Sequence, residues 1–401
     1  GKYFSKHKKI YGSHHENIRF LVFDLAAINL LLFLKKKVDI IHCHDWQTGL
    51  IPYYLRNWFK HESFFKKTKT IYTIHNLIFQ LGHNWWEIPA DQKDFGRTKI
   101  PHLSDPAIEN INFAKRAILS ADIINTVSEQ YRAEIITKNF GQDLHRILRN
   151  RKDYLFGIIN GINYHDYNPQ NDASLKKKYD LNSIVIKEEN KKFVQKKFGL
   201  QVDKKIPLFC TTSRIAYQKG FYLIINIIEK LLKLEAQFIF MGDGAKEYIK
   251  VFKKLQKKFP KRLLWLPFNQ KEETLLYAAS DFMLLPSNHE PCGINQLIAM
   301  RYGCIPIVRE VGGLNDTVDN YNPTTNKGTG FTFKNDDEYA LYGTIIRAIE
   351  NYKHKELWPE LVEKVMDKSS SWEIPAQKYI KLYRKALKLK KIVFNKEEKM
   401  E

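Results

Sequence analysis

Short apolar runs that stop at polar residues, each followed by a helical pattern, recur along this chain and leave it few folds to choose from. VDIIHCH (38–44), KTIYTIHN (69–76) and ADIINTVS (121–128) each read as a central parallel strand whose C-terminal end carries polar side chains into a crevice. Ser128 is placed to cap the helix that begins EQYRAEI. YLFGIINGINY (154–164) reads as a further strand and turn.

The same grammar returns after a polar stretch at 168–190. IPLFCTTSR (206–214), AQFIFMGDG (236–244), RLLWLPF (262–268), DFMLLPS (281–287), CIPIVRE (304–310) and GTGFTF (328–333) read as strands, with helices at 220–233, 291–303, 336–351 and about 355–368. The fold class is therefore α/β, with two Rossmann-like domains facing across a cleft. This grammar alone leaves dehydrogenases, epimerases, binding proteins and transferases open.

The chain has 401 residues, enough for two or three domains. Its formal charge of +21 suits a phosphorylated substrate, but the lysines lie in scattered runs such as 35–37 and 176–178. Scattered lysine marks a solvated surface, and no zinc finger, arginine-aromatic module or basic coiled coil accompanies it, so no nucleic-acid partner is expected. Four cysteines, at 43, 210, 292 and 304, follow no metal-ligand spacing and are too few for a disulfide framework. No metal and no cofactor is expected. The most apolar stretch, LVFDLAAINLLLFL (21–34), carries Asp24 and Asn29 and is shorter than the roughly 20 residues of a membrane span. It reads as a buried helix in a protein with no membrane partner, cytoplasmic or plastid in location.

Chemistry-bearing residues gather at the strand ends. Glu290 lies between a strand and a helix, where its carboxylate and the first-turn N–H groups of Cys292 and Gly293 would share one crevice. A carboxylate there also simply favours a helix start. Arg214 and Lys219, in TSRIAYQKG, put two cations in one βα loop, suited to a diphosphate whose charge grows as its bond to a sugar breaks. Gly312 and Gly313 make a flexible turn after a strand, a weak pointer to a diphosphate or ribose. GDG (242–244) is weaker still. His75 and Asn76, like His44 and Asp45, end strands of the first domain, and a histidine there can meet sugar hydroxyls or a developing charge. His42 alternates with His44 and reads as packing. Asn160 is a turn former by default. Cys292 has no assigned base, and no carboxylate pair flanks a hydrolytic water, which disfavours a hydrolase.

These motifs closely resemble the bacterial glycogen synthases and plant starch synthases. The matching blocks are HCHDWQTGL (42–50), YTIHNLIFQ (72–80), TVSEQYRAEI (126–135), INGINYHDYNP (159–169), SRIAYQKG (213–220), PSNHEPCGINQLIAMRYG (286–303), GGLNDTV (312–318) and SWEIPAQKYIKLY (371–383). The resemblance implies a two-domain GT-B fold and transfer of glucose from ADP-glucose to the non-reducing end of an α-1,4-glucan, glycogen or starch, with retention of configuration. By motif it implies that Arg214 and Lys219 bind the donor diphosphate and that Glu290 holds the transferred glucose. His75 would sit by the hydroxymethyl group, with Asn160 beside the sugar and Asp45 near the donor–acceptor junction. Cys292 and Gly293 would supply backbone contacts, and Phe268 would face the base.

On this reading residues 1–168 are a partial acceptor-side domain, 169–375 the nucleotide-sugar domain, and 376–401 a helix returning to the first domain, with a tail. The family's opening strand and K-x-G-G-L loop have no counterpart in residues 1–40, so the expectation is an N-terminally truncated first domain. The alternatives are another GT-B transferase, such as a sucrose synthase or a lipopolysaccharide glycosyltransferase, or a non-catalytic chain that retains nucleotide or glucan binding.

Overall fold

The computed structural model describes residues 10–12, 15–368 and 370–389. The first residues of the block that opens at position 3, and the tail from 390, lie outside them. The chain packs as two units, one running to Ile158 and resuming at Ala376, the other holding Ile159–Pro375. The junction falls earlier than residue 168 because the Asn160–Gly161 turn packs inside the second unit. Ile162 bridges to Ser371, and a Cβ on Gly161 would meet the Trp372 nitrogen at 2.6 Å.

In the first unit the strands are β1 (Ile40–His44), β2 (Lys69–Ile74), β3 (Ile123–Thr126) and β4 (Leu155–Gly157), parallel and in that spatial order. β2 and β3 are buried along their whole length, as central parallel strands with covered faces require. The helix Glu129–Ile135 starts where Ser128 Oγ accepts the Tyr131 N–H at 2.8 Å. The helix Glu373–Lys388 supplies Leu382 and Ala386, which pack with Ile71, Ile123 and Ile158.

The helix Glu16–Phe33 departs from expectation. It is apolar all round rather than on one stripe, and it is only partly buried: Ile18, Leu21 and Ile28 are covered, whereas Phe23, Leu30, Phe33 and the following Leu34 are exposed. Polar residues are buried as well: Glu16, Asn17 and Arg19 in its first turn, and further along Asp24, which accepts the Leu50 N–H at 2.8 Å. Among the described residues no helix is long and apolar enough to cross a membrane.

In the second unit the strands are β5 (Leu208–Thr212), β6 (Gln237–Met241), β7 (Leu263–Leu266), β8 (Phe282–Leu285), β9 (Ile305–Arg309) and β10 (Phe331–Phe333). They are parallel and ordered β10-β9-β8-β5-β6-β7. The order reverses between β5 and β8, so the loops leaving these two neighbours diverge and open a crevice at their C-terminal ends. Phe209 on β5 stacks on Phe238 at 4.9 Å and on Phe282 at 4.8 Å, tying the centre of the sheet together. At the opposite end of the strands, Lys191 pairs with Asp281 at 2.6 Å, and the Lys187 ammonium donates to the carbonyls of Tyr277, Ala278 and Ser280. A cavity of about 410 Å³ lies there, lined by Lys187, Lys191, Tyr352 and Trp358, away from the β5/β8 crevice.

Candidate functional site

The loop after β5 carries Arg214 and Lys219, and the loop after β8 carries Glu290, so the switch point brings together residues 71 positions apart. Lys219 Nζ lies 2.5 Å from Glu290 Oε2, which also accepts from Ser287 Oγ at 3.1 Å. Glu290 and Ser287 are buried, Lys219 is half-buried and Arg214 is exposed. Gln218 links the two loops: its Nε2 donates to the His289 carbonyl at 3.2 Å, while its Oε1 accepts from Arg214 at 3.2 Å.

Glycine allows this approach. Gly220 has φ 76°, and a Cβ there would fall 1.9 Å from the Pro286 carbonyl oxygen. Gly312 and Gly313 do not form a flexible turn. They open the short helix Gly312–Thr317 and are buried beneath the Glu290–Cys292 backbone, with the Gly313 N–H donating to the Glu290 carbonyl at 3.1 Å. A Cβ on Gly313 would meet the Cys292 oxygen at 1.9 Å.

The helix after Glu290 also differs from expectation. It runs Asn295–Arg301, so Cys292 and Gly293 belong to the turn before it and not to its first turn. Gly293, at φ 70°, makes a left-handed turn that delays the helix. Gln296 closes that turn by donating to the carbonyls of Cys292 and Gly293. The Cys292 thiol is pushed up to about 12 by burial, against hydrogen bonds from the backbone and side chain of Asn160, which favours the neutral thiol. Those hydrogen bonds also place Asn160 in the same cluster.

Phe268 is half-exposed beside the glycine turn that ends β6, its N–H donating to Asp243 at 3.3 Å. The Asp243 carbonyl accepts the Ile215 N–H at 2.8 Å, which connects Phe268 to the loop of Arg214. The glycines of GDG serve packing: a Cβ on Gly242 would strike the Ser213 oxygen, and one on Gly244 the Ile215 oxygen.

The first unit holds a separate cluster at the ends of β1 and β2. Asp45 adopts φ 56°, a strained conformation for a non-glycine residue, and its carboxylate accepts the His75 N–H at 2.7 Å. Burial raises its pKa, opposed by the charge of His75 and by backbone N–H donors from His75 and Asn76. The His75 ring meets His44, Nε2 to Nδ1, at 3.0 Å. His42 is structural, as expected, bonding Thr73 at 2.7 Å and Tyr383 at 2.9 Å. Among the described residues no group of three or more His, Cys, Asp or Glu is arranged to hold a metal ion.

Sequence reasoning missed Ser287, Gln218 and Gln296. Each is a polar residue inside a quoted block, and only the folded loops show what it bonds. Each unit thus holds its own cluster: in the second a buried carboxylate paired with an ammonium at the mouth of a parallel-sheet switch point, and in the first a histidine–aspartate group at two strand ends.

Residues 1–150 match the family model described as the starch synthase catalytic domain, and residues 192–364 match glycosyl transferases group 1. The glycogen synthase of Pseudothermotoga lettingae is 40% identical over 375 residues, covering 92% of this chain and 76% of that protein. That of Clostridium beijerinckii is 40% identical over 385 residues, covering 94% and 79%. Among solved structures, the catalytic domain of starch synthase IV from Arabidopsis thaliana, bound to ADP and acarbose, aligns with a TM-score of 0.81 and 34% identity over 94% of this chain and 79% of that one. A sucrose-phosphate synthase from Thermosynechococcus elongatus, at 18% identity and a TM-score of 0.60, shares the fold alone. With such identity over more than nine-tenths of its length, the chain belongs to the glycogen and starch synthase family of GT-B glycosyltransferases.

Proposed function

We propose that this chain transfers glucose from ADP-glucose to the non-reducing end of an α-1,4-glucan with retention of configuration. The observation that carries the reading is the Lys219–Glu290 pair at 2.5 Å in the β5/β8 crevice. The ADP and acarbose bound to the Arabidopsis relative support a nucleotide-sugar donor and a glucan acceptor.

In this reading Lys219 and Arg214 meet the diphosphate, whose negative charge increases as the bond to glucose C1 breaks. Among the described contacts, Lys219 and Ser287 both engage Oε2 of Glu290, which leaves Oε1 to accept from sugar hydroxyls. Glu290 is then a positioning group and not an acid–base catalyst. Phe268 offers an aromatic face to the base, and Asn160, with the Cys292–Gly293 turn, lines the sugar. In the first unit His75 and Asp45 serve the glucosyl group and the acceptor. The bond from C1 to the departing phosphate oxygen breaks, the bond to the acceptor oxygen forms on the same face, and the acceptor proton passes to the leaving phosphate. The protein supplies orientation and fixed charge, with no cofactor. A cytoplasmic or plastid location belongs to the same proposal and fits four cysteines that are all free thiols.

The test is glucose incorporation into a glycogen primer from ADP-glucose and, in parallel, from UDP-glucose. Glu290→Ala is expected to lower turnover by about a hundredfold or more, with ADP-glucose the better donor for the unaltered chain. Unchanged turnover in the variant would remove Glu290 from the reaction. Preference for UDP-glucose would overturn the donor assignment.

A further inference from the structure

The histidine cluster of the first unit is more ordered than one ligand-facing histidine requires. β1 and β2 are parallel with His44 opposite Thr73, so His42 and His44 share a face of β1 and His75 follows the end of β2. Both ring nitrogens of His42 are engaged, Nε2 with Thr73 and Nδ1 with Tyr383. That fixes the plane of His42, and the His44 ring stacks on it at 4.2 Å with 29° between planes. The backbone N–H of His44 is held by Thr48 Oγ1 at 2.7 Å. His44 Nδ1 then meets His75 Nε2 at 3.0 Å. A chain of contacts, two hydrogen bonds joined by one stacked ring pair, therefore runs from Tyr383 of the C-terminal helix through His42 and His44 to His75.

We propose that His44 is the positioning residue for His75, holding its ring through the Nδ1–Nε2 hydrogen bond so that His75 offers its Nδ1 edge to the ligand. This rests on the reading of His75 given above. A neutral imidazole carries one N–H, so each ring can act as donor or acceptor in this pair. Burial, and then the charge of His75, lower the pKa of His44 and favour its neutral form. The ionisable groups that face the pair are Asp45, whose carboxylate accepts the His75 backbone N–H, and His42, stacked on His44 and itself in contact with Tyr379 and Tyr383 of the C-terminal helix. Asp45 is held by the His75 backbone N–H, leaving the ring to His44.

Two substitutions separate the hydrogen bond from the packing. His44→Phe keeps a flat ring against His42 and removes the nitrogen. His44→Asn returns a polar atom near the place of Nδ1. On the full chain, with ADP-glucose and a glycogen primer, His44→Phe is expected to lower kcat on the order of tenfold to a hundredfold while KM for the donor stays within about twofold. His44→Asn should recover most of the loss. In chain labelled with ¹⁵N-histidine, the ring-nitrogen shifts of His75 should move in His44→Phe and return toward their original values in His44→Asn, a readout that does not depend on turnover. Unmoved His75 shifts, or wild-type kcat in His44→Phe, would overturn the role of His44. The control His75→Ala separates the two readings. If it abolishes turnover while His44→Phe does not, only the role of His44 falls. If His75→Ala retains turnover, both fall.

Discussion

In the second unit a Cβ on Gly220, Gly242, Gly244, Gly312 or Gly313 would fall within 2.1 Å of a backbone carbonyl oxygen. In the first unit the corresponding cluster is joined by imidazole, hydroxyl and carboxylate groups at 2.7–3.0 Å. One site is set by main chain pressed on main chain, where the missing side chain is what lets the loops meet. The other is set by side chains that titrate. The difference teaches where each is vulnerable: bulk disturbs the former, and loss of a hydrogen-bonding atom or a change of pH disturbs the latter.

The largest effect on stability is expected from a buried ion pair of the first unit. Arg116 is fully buried and bidentate to Asp94 at 2.8 Å, and Asp94 also accepts the N–H groups of Gly96 and Asn112. Asp94→Ala strands the guanidinium and should cost about 3–5 kcal/mol. Urea unfolding should show an earlier transition for the first unit while that of the second stays in place. A single shifted transition would mean that the units do not differ in the way described.

A smaller loss of stability, with a larger loss of activity, is expected from Gly313→Ala. The added carbon displaces Cys292 and with it the loop of Glu290, at about 1–3 kcal/mol. Wild-type turnover in that variant would break the claim that backbone contact sets the second site.

The smallest effect per pH unit is that of acid. His42 and His289 are each held down at about 4, mainly by burial. His44 and His75 reinforce this at His42; at His289, Lys219 reinforces it and Glu290 opposes it. Unfolded, both titrate near 6.5. Between those values the unfolded chain binds more protons, so stability is lost as pH falls from about 6.5 toward 4, by roughly 1 kcal/mol per histidine per pH unit. His42→Asn should flatten the acid sensitivity of the first unit and His289→Gln that of the second, read as melting temperature at pH 7 and pH 5.

Much of this was legible in the chain itself. The strand end at His44, and those just before His75 and Ser128, followed from apolar runs stopping at polar residues, and the Ser128 cap from its place before a helical pattern. What escaped depends on distance or on local backbone. Nothing local says that Lys219 touches Glu290, because the contact exists only where β5 and β8 are neighbours. The helix after Glu290 was expected four residues too early, since Gly293 in a left-handed turn is invisible to periodicity. Gly312 and Gly313 looked like a flexible turn because Gly-Gly suggests freedom, whereas here it permits close packing. The helix Glu16–Phe33 was expected to be buried because its composition says how apolar it is, not which faces are covered.

The discontinuity of the first unit has a consequence for biogenesis. Tyr379 and Tyr383 bond Asn125 and His42, partners made 254 and 341 residues earlier. On a ribosome the second unit, contiguous from Ile159 to Pro375, is complete before the helix that covers β1 to β3 has been made. The usual N-terminal-first order is inverted. The part of the first unit translated before Ile159 waits with one face of its sheet uncovered until the helix Glu373–Lys388 has been made.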